Sequence, residues 1–351
     1  MKKLLRVFLV IVLIILVSAA GLVAWLSAAE FKPAPVETLD VRGLSSELLS
    51  DTDIRVMSWN IGYAGLGAEA DFFMDGGKSS RPHDNATVNR YLSGIADTIT
   101  AEAPDLVMLQ EVDSDSGRTY RIDETTALMR GSAVFALNYA CPFVPVPVPP
   151  MGRVYSGLFT TTDRAIERAE RVSLPCPFSW PLRIVNLKRC LLVSYLPIED
   201  SDKQLVLVNL HLEAYDSGEG KIAQTNALND LVQAEYEKGN YVIAGGDFNQ
   251  SFPGALDVFL KVDPGYWSPG VLEESMLPDG WQFAYDLSVP TCRLLNQPYQ
   301  PDDTAHTQYY TIDGFLLSPN VELISVSTLD CGFVNSDHNP VMLRVNLKGA
   351  S

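Results

Sequence analysis

Six short polar strings stand where apolar, strand-like runs of this 351-residue chain end, and no other feature of the sequence constrains the fold as strongly. They are Trp59-Asn60, Gln110-Glu111-Val112-Asp113, Asn209-Leu210-His211, Gly246-Asp247-Phe248-Asn249, Ile312-Asp313-Gly314 and Ser336-Asp337-His338. Carboxylates, carboxamides and imidazoles at the ends of separate strands are groups with which a protein can hold a divalent metal ion and a phosphate. The set therefore predicts one polar site to which several strands contribute.

The segments between these strings predict a mixed α/β fold. Strands are predicted at residues 54–59, 105–109, 189–195, 204–212, 241–244, 311–317, 321–327 and 341–347, and amphipathic helices at 85–102 and 221–237. Several strand pairs are joined by tight turns and few helices intervene, which favours mixed sheets with outer helices over a doubly wound nucleotide-binding fold. The proline-rich run 144–150 predicts a rigid extended loop, and residues 263–307 predict a loop-rich insertion.

The N-terminal segment predicts export. Lys2, Lys3 and Arg6 precede an uncharged stretch at residues 7–29. That stretch is longer than the apolar core of a secretory signal, about 7–15 residues, and long enough for a spanning helix, which needs about 20. Length favours an uncleaved signal anchor, although Ser27-Ala28-Ala29 offers small residues where a signal peptidase can cut. In both cases we expect the basic flank in the cytoplasm and the rest outside.

Three regions follow from this reading. We expect a signal anchor or signal peptide at residues 1–29, a polar linker with scattered prolines at 30–53, and the main domain at 54–351. The expected location is the cell membrane, with a single N-terminal span and the main domain outside the cytoplasm. If the signal is cleaved, the protein is secreted.

Composition narrows the ligands that such a domain can bind. There are 26 Lys and Arg against 43 Asp and Glu, a formal net charge of −17 at pH 7. Affinity for nucleic acid depends largely on Lys and Arg that neutralise phosphates, so this balance disfavours a long polyanion as partner. Five cysteines without a C-x-x-C pair argue against a zinc site. Export would permit disulfides, whose pairing stays open, and Cys190 and Cys331 are expected to be buried.

Taken in order, the six strings resemble those of the endonuclease/exonuclease/phosphatase superfamily, also called the deoxyribonuclease I-like fold. The resemblance runs from about Arg55 to Leu347. It implies a four-layer sandwich of two stacked mixed β-sheets flanked by helices, with the site at one edge and the N-terminal helix outside it. It also implies that 54–351 is a catalytic domain, a metal-dependent phosphoric ester hydrolase with Mg²⁺, or Mn²⁺, as cofactor.

The resemblance assigns roles around the metal. Glu111 matches the carboxylate that ligates a catalytic magnesium ion, and Asn60 and Asp337 match groups beside the metal, Asn60 also contacting the phosphate. Tyr155 occupies the position of a phosphate-binding tyrosine. The residues after it, 158–161, depart from the family pattern, which weakens that assignment.

The same resemblance assigns the acid–base groups. Asp247 would orient or deprotonate the attacking water, and Asn249 would contact the phosphate. His338 would exchange protons with Asp313 fixing its tautomer, and His211 would contact the phosphate or protonate the leaving oxygen. Whether His338 or Asp247 activates the water stays open.

The substrate is the least constrained property. Export and acidity favour a lipid head group or another small phosphate ester, either a phosphodiester or a phosphomonoester, hydrolysed by in-line water attack. A secreted or membrane-anchored nuclease is the alternative. A non-catalytic binding module of the same fold and a membrane-anchored scaffold are weaker alternatives, because all six strings are present. Substrate identity and oligomeric state stay open.

Overall fold

A computed structural model describes residues 1–216, 218–303 and 305–349, which form two large mixed β-sheets with helices outside them. The strands begin with β1 (Val36–Leu39), β2 (Asp53–Asn60), β3 (Leu106–Asp113), β4 (Ser132–Val144), β5 (Gly152–Thr162), β6 (Arg168–Ser173), β7 (Cys190–Pro197), β8 (Gln204–His211) and β9 (Tyr241–Asp247). They continue with β10 (Gln250–Ser251), β11 (Gly270–Val271), β12 (Gln282–Ala284), β13 (Cys292–Arg293), β14 (Tyr309–Tyr310), β15 (Asp313–Leu317), β16 (Val321–Thr328) and β17 (Val341–Leu347). The α-helices are α1 (Lys2–Ala28), α2 (Asn85–Glu102), α3 (Glu124–Ala127), α4 (Glu219–Glu237) and α5 (Ala255–Val258).

The strand order defines two mixed sheets. The seven-stranded sheet runs β1-β6-β7-β8-β9-β15-β12, and the six-stranded sheet runs β16-β17-β2-β3-β5-β4. Each contains one parallel pair, β8 with β9 and β2 with β3, among antiparallel neighbours. The predicted sandwich of two stacked mixed sheets with outer helices is confirmed.

The core lies between the two sheets and is continued outward by two helices. Between the sheets, Val56 and Met108 share one apolar cluster with Leu207 and Phe315. Outside the six-stranded sheet, α2 buries Val88, Tyr91, Leu92, Ile95 and Ile99 in a cluster with residues of β2 and β3. Outside the seven-stranded sheet, α4 buries Leu228 and Val232 in the same way. Full burial of each large apolar side chain contributes about 1.5–3 kcal/mol, so these layers specify the fold.

The two predicted amphipathic helices form at the predicted places. Helix α2 covers residues 85–102, and the Asp84 carboxylate caps it by accepting a hydrogen bond from the Thr87 amide at 2.8 Å. Helix α4 begins two residues before the predicted 221 and ends at Glu237. Gly239 follows at φ +87°, a conformation that an L side chain rarely adopts and that favours glycine after a helix.

Several elements differ from expectation. Strands β4 and β5 were not predicted, because β5 ends in the polar run Thr160-Thr161-Thr162, whose hydroxyls are buried against neighbouring backbone. Strand β3 continues beyond the predicted 105–109 to Asp113. The proline-rich run does not stay extended, because residues 147–150 form a turn after β4.

Residues 30–53, expected to be a linker, lie along the domain. Strand β1 pairs antiparallel with β6, with Val36 opposite Val172, and Arg42 forms a bridge with Ala133. The insertion at 263–307 is mostly irregular, as predicted, but it supplies β12 at the edge of the seven-stranded sheet.

All five cysteines are free thiols. Cys190 is buried, as expected, whereas Cys331 is partly exposed and the expectation of a buried residue was wrong there. Outside the sandwich, α1 is one continuous helix, long and apolar enough to cross a membrane. Leu26, in its last turn, is its buried residue.

Candidate active site

The register of three neighbouring strands brings three predicted site residues to one edge of the seven-stranded sheet. His211 at the end of β8 lies opposite Asp247 at the end of β9. Asp247 in turn lies opposite Asp313 at the start of β15. Directly opposed residues lie on the same face with their side chains within reach of each other. Three of the six strings thus meet without any contribution from loop conformation.

The side-chain amide of Asn60 joins the two sheets at this edge. Its Nδ2 donates to Glu111 Oε1 at 3.2 Å and to Asp247 Oδ2 at 3.1 Å. Asn60 and Glu111 belong to the six-stranded sheet and Asp247 to the seven-stranded sheet. The Asn60 oxygen accepts from the Gly62 amide at 3.0 Å, which fixes the orientation of the carboxamide. The site therefore lies on the seam between the sheets.

Two imidazoles approach the same oxygen of Asp247. His211 Nε2 lies 3.4 Å and His338 Nε2 lies 3.9 Å from Asp247 Oδ2. On its other side, His338 Nδ1 contacts Asp313 Oδ2 at 2.8 Å. The indole of Trp59 donates to the His338 carbonyl at 2.8 Å and holds its backbone. The predicted His338–Asp313 pair is present, and its outer nitrogen points at the centre of the site.

The two imidazoles differ in charge because their surroundings differ. Burial acts to lower the pKa of His338, but the Asp313 carboxylate outweighs it and raises the pKa well above its ordinary value. Burial lowers the pKa of His211 well below its ordinary value, and the charges of Arg189 and His338 act in the same direction. At neutral pH the site therefore holds one imidazolium and one neutral imidazole.

Two carboxyl groups have a pKa near neutrality. Burial, followed by the neighbouring Asp313 carboxylate, raises the pKa of Asp247 to about 7. Burial also raises the pKa of Asp337 to about 7, with Glu111 acting in the same direction. A carboxylate with such a pKa can accept a proton near neutral pH. Both groups would be stabilised in their ionised form by an added cation.

The donors around Glu111 and Asp337 fit a divalent metal ion. The two acidic groups interact unfavourably, and within the described ranges neither has a Lys, Arg or His nitrogen within 4.0 Å. Asp337 Oδ1 lies so near Gly62 that a Cβ there would approach it to 2.8 Å. Carboxylate oxygens beside an amide are what Mg²⁺ and Mn²⁺ prefer. Glu111, Asp337 and Asn60 are thus the residues that would hold the ion.

Two other groups of potential ligands lie nearby but suit such an ion less well. Cys292, Asp337 and His338 have ligand atoms within 4.8 Å of one another, as do Asp247, Asp313 and His338. Burial raises the pKa of the Cys292 thiol to about 12, so it stays protonated at neutral pH. In both groups His338 already contacts Asp313 through Nδ1.

Asn249 reaches the cavity from a tight turn after β9. Its backbone N–H donates a hydrogen bond to Asp247 Oδ1 at 2.9 Å. Its side-chain nitrogen donates to the Leu212 carbonyl at 2.9 Å. Gly246 precedes this turn, where a Cβ would lie 2.0 Å from the Leu210 carbonyl oxygen, so only glycine fits.

Two residues predicted to bind phosphate do not line the cavity. Asn60 is one, although it contacts Glu111 and Asp247, which do line it. Tyr155 is the other. The neighbouring Ser156 lines the cavity instead. Adjacent residues of a strand face opposite sides. The Tyr155 ring lies beside the Arg153 guanidinium, 5.4 Å from ring centroid to guanidinium carbon.

Three buried arginines, Arg118, Arg189 and Arg293, line the cavity, and sequence reasoning assigned none of them to it. Arg118 donates to the Asp113 carboxylate at 3.0 and 2.9 Å and lies 3.5 Å from the Tyr63 ring centroid. Arg189 pairs with Glu213 at 3.2 Å. Arg189 and Glu213 are 24 positions apart, and no sequence signal indicated this pair.

Arg118→Ala is expected to destabilise the fold. It would leave the Asp113 carboxylate buried without its cation, which costs about 3–5 kcal/mol. Chemical denaturation should show this loss as a lower midpoint. Arg344→Ala, which breaks an exposed ion pair with Asp53, is the matched control and should change the midpoint little. Equal midpoints for the two variants would contradict the buried-pair interpretation.

The cavity above these groups has a volume of about 370 Å³ and two unlike sides. One side carries the polar groups described above. The other side is apolar and is formed by Phe72, Phe73, Tyr139, Val144, Met151, Val185 and Leu187.

The chain belongs to the Endonuclease/Exonuclease/phosphatase family, whose family model matches residues 57–338. Members of this family are in general metal-dependent hydrolases that act on phosphate esters. No curated protein is significantly similar in sequence.

Solved structures share the fold at low sequence identity. An endonuclease/exonuclease/phosphatase from Beutenbergia cavernae is 21% identical, with a TM-score of 0.58, over 85% of this chain and 72% of its own. One from Bacteroides vulgatus is 14% identical, with a TM-score of 0.53, over 85% and 100%. D. rerio TDP2 complexed with single strand DNA product is 16% identical, with a TM-score of 0.50, over 84% and 100%. These likenesses show the fold.

Proposed function

We propose that this protein is a Mg²⁺-dependent phosphoric ester hydrolase in which water attacks phosphorus in line. The observation that carries the proposal is the Asp247 carboxylate. A single oxygen of that group lies 3.1 Å from the Asn60 amide, 3.4 Å from His211 and 3.9 Å from His338. A carboxylate between an amide and two imidazoles, next to Glu111, has the groups needed to orient water and to stabilise a phosphoryl centre.

The bound metal ion would polarise a phosphoryl oxygen and offset the negative charge that develops on it. Glu111, Asp337 and Asn60 would hold it. We place the proton acceptor at Asp247, because its pKa of about 7 lets it take a proton from water. His338 is already protonated through its pairing with Asp313, so it donates rather than accepts.

His338 and His211 divide the remaining tasks according to their charge. The His338 imidazolium donates a charge-assisted hydrogen bond to a phosphoryl oxygen, which strengthens as the pentacoordinate state forms. The neutral His211 can donate its one N–H as a hydrogen bond to the leaving oxygen. Asn249 holds the remaining oxygen of the phosphate through its side chain.

Two features favour a lipid head group or another small ester over a nucleic acid. One is the formal charge of −17, which opposes a polyanion. The other is the apolar side of the cavity, which suits a hydrocarbon portion of the substrate rather than a sugar–phosphate backbone. We further propose that α1 spans the membrane and places the catalytic domain outside the cytoplasm.

A substrate panel tests this function. The full-length protein in detergent is assayed with Mg²⁺ against a glycerophospholipid, sphingomyelin, a water-soluble aryl phosphodiester and plasmid DNA, with EDTA as a blank. We expect Mg²⁺-dependent hydrolysis of the lipid or small esters, reduced at least about 100-fold in His338→Gln. His306→Gln, at an exposed loop position, is the matched control. Rapid plasmid nicking would favour the nuclease, and inertness towards every ester would favour a binding module.

Metal binding is expected to weaken as the pH falls below 7. In the metal-free protein the pKa of Asp337 is about 7, and a protonated carboxyl group must release its proton before it can ligate a cation. Above pH 7 no such proton has to leave. We expect the apparent affinity for Mn²⁺ or Mg²⁺, measured by calorimetry, to fall about tenfold from pH 8 to pH 6. Asp337→Asn should bind weakly at both pH values, and a wild-type affinity independent of pH would contradict the assignment.

A further inference from the structure

The apolar side of the catalytic cavity is continuous with the end of helix α1. Leu22 and Leu26 of α1 belong to the same apolar cluster as Phe72, Val144 and Leu187, and the last three line the cavity. The helix is otherwise exposed along its length. A membrane-spanning helix would therefore leave the bilayer beside the apolar side of the cavity.

Exposed apolar side chains surround the place where α1 meets the domain. We call Trp25, Val146, Val148, Trp180 and Leu182 the apolar rim. Val148 is 93% exposed, and the other four are between 50% and 61% exposed. The Trp180 indole donates to the Ser27 hydroxyl at 3.1 Å, which fixes the 180–182 segment against the last turn of α1. Exposed tryptophans at the end of a spanning helix are typical of a membrane interface.

The charges next to the rim differ in sign from the rest of the protein. Glu30, just after α1, is almost buried and lies 3.1 Å from Arg183, 3.3 Å from Lys188 and 3.7 Å from Lys32. Three cations around one carboxylate leave a local positive charge on a chain whose formal charge is −17. Positive charge beside an apolar surface suits phospholipid head groups, which carry phosphates.

Helix length agrees with this placement. Residues 7–26 contain 20 residues without a charge, which in a helix span about 30 Å, the thickness of the hydrocarbon layer. A span of that length ends at Trp25 and Leu26, level with the rim. Continuity with α1, exposed tryptophans and local positive charge all select a lipid bilayer rather than a second protein as the occupant.

We propose that the apolar rim lies in the interface of the bilayer that α1 spans, so that the apolar side of the cavity opens on the lipid and takes the hydrocarbon portion of a membrane-embedded phosphate ester. The identity of the substrate as a phosphate ester rests on the proposed function, whereas the membrane contact of the apolar rim rests on the geometry of α1. The polar groups on the seam between the sheets then reach the phosphate ester at the level of the lipid head groups. The lipid does not have to leave the bilayer completely.

Fluorescence quenching tests the surface without requiring any catalysis. An environment-sensitive fluorophore is attached to Val148→Cys or to Leu44→Cys in full-length protein carrying Cys176→Ser and Cys331→Ser, which removes the thiols that are not buried. The protein is reconstituted in phosphatidylcholine–phosphatidylglycerol vesicles. Leu44 is 85% exposed and lies next to Ser45, which bonds to Ser132 at the far end of β4 from Val144. We expect blue-shifted emission and quenching by nitroxide-labelled lipid at position 148, and neither at position 44.

Hydrolysis supplies the second measurement. Trp180→Asp with Leu182→Asp should lower hydrolysis of a vesicle-embedded phosphodiester about tenfold and leave hydrolysis of a water-soluble phosphodiester unchanged, whereas Leu44→Asp should change neither.

The two measurements separate the possible failures. Equal quenching at positions 148 and 44 would overturn the membrane contact. Quenching at position 148 only by a nitroxide on a second copy of the protein would assign the rim to self-association and would also overturn it. Lipid quenching together with inertness towards both phosphodiesters would uphold the membrane contact and remove the proposed function.

Discussion

Asp247→Asn is expected to lower turnover of the preferred phosphate ester by about 10²–10³-fold. The substitution keeps the size of the side chain and removes the proton acceptor that contacts Asn60, His211 and His338. Substrate binding should change much less than turnover, because the groups placed on the phosphate remain. Steady-state kinetics at saturating Mg²⁺ measure both quantities. Asp97→Asn, on the exposed face of α2, provides the same chemical change away from the site.

A small effect of Asp247→Asn would reassign the proton acceptor. If turnover falls less than about tenfold while His338→Gln removes activity, the imidazole rather than the carboxylate activates the water. The pH profile then separates the two cases. Proton acceptance by Asp247 predicts that the activity of the metal-loaded enzyme rises with pH through the pKa of Asp247, which is about 7 without the metal and lower once the metal is bound.

Glu111→Gln is expected to weaken Mg²⁺ binding by at least about 100-fold. The amide that replaces the Glu111 carboxylate carries no charge to offset the cation, so Asp337 is the one carboxylate left among the groups proposed to hold the ion. The loss should appear first as a rise in the Mg²⁺ concentration that gives half-maximal activity. It should also appear, without any substrate, as a smaller increase in melting temperature when Mg²⁺ is added.

Glu322→Gln is the control for this prediction, because Glu322 is exposed on the edge strand β16. It should leave both the metal dependence and the melting temperature unchanged. Full Mg²⁺-dependent activity in Glu111→Gln would remove this carboxylate from the metal site and would leave Asp337 with the Cys292 and His338 group as the remaining candidate.

The sequence predicts the site better than the sheets that support it. His211 and Asp247 end two strands and Asp313 begins a third. The apolar patterns of these strands can be recognised in the sequence, and the strands pair in register. Strand β5 was missed because its polar threonines satisfy their hydroxyls with distant backbone, for example Thr162 with the Asp105 carbonyl at 2.8 Å. Such long-range hydrogen bonds leave no local pattern.

Arg189 is a cavity position that no sequence pattern assigned. Its partner Glu213 lies 24 positions later, and only the folded chain brings the two side chains together. Buried ion pairs between residues far apart look like ordinary surface charges in a sequence. Arg118 differs, because its partner Asp113 is only 5 positions away. Glu111 carries a further feature that no sequence pattern indicated, a backbone φ of +54° within β3, where the pairing with β5 shifts register. That irregularity turns the carboxylate towards the site.

The position of β17 has a consequence for when this protein becomes active. In the six-stranded sheet, β17 lies between β16 and β2 rather than at an edge, and His338 lies shortly before its first residue, Val341. On one side, strand β2 therefore pairs with a strand that lies about 280 residues later in the chain. Pairing between segments so far apart in sequence is slow. During synthesis, an emerging chain holds Asn60 and Glu111 long before it can complete the sheet. The polar site can be complete only after the segment that carries Asp337 and His338 has been made and β17 has joined the sheet.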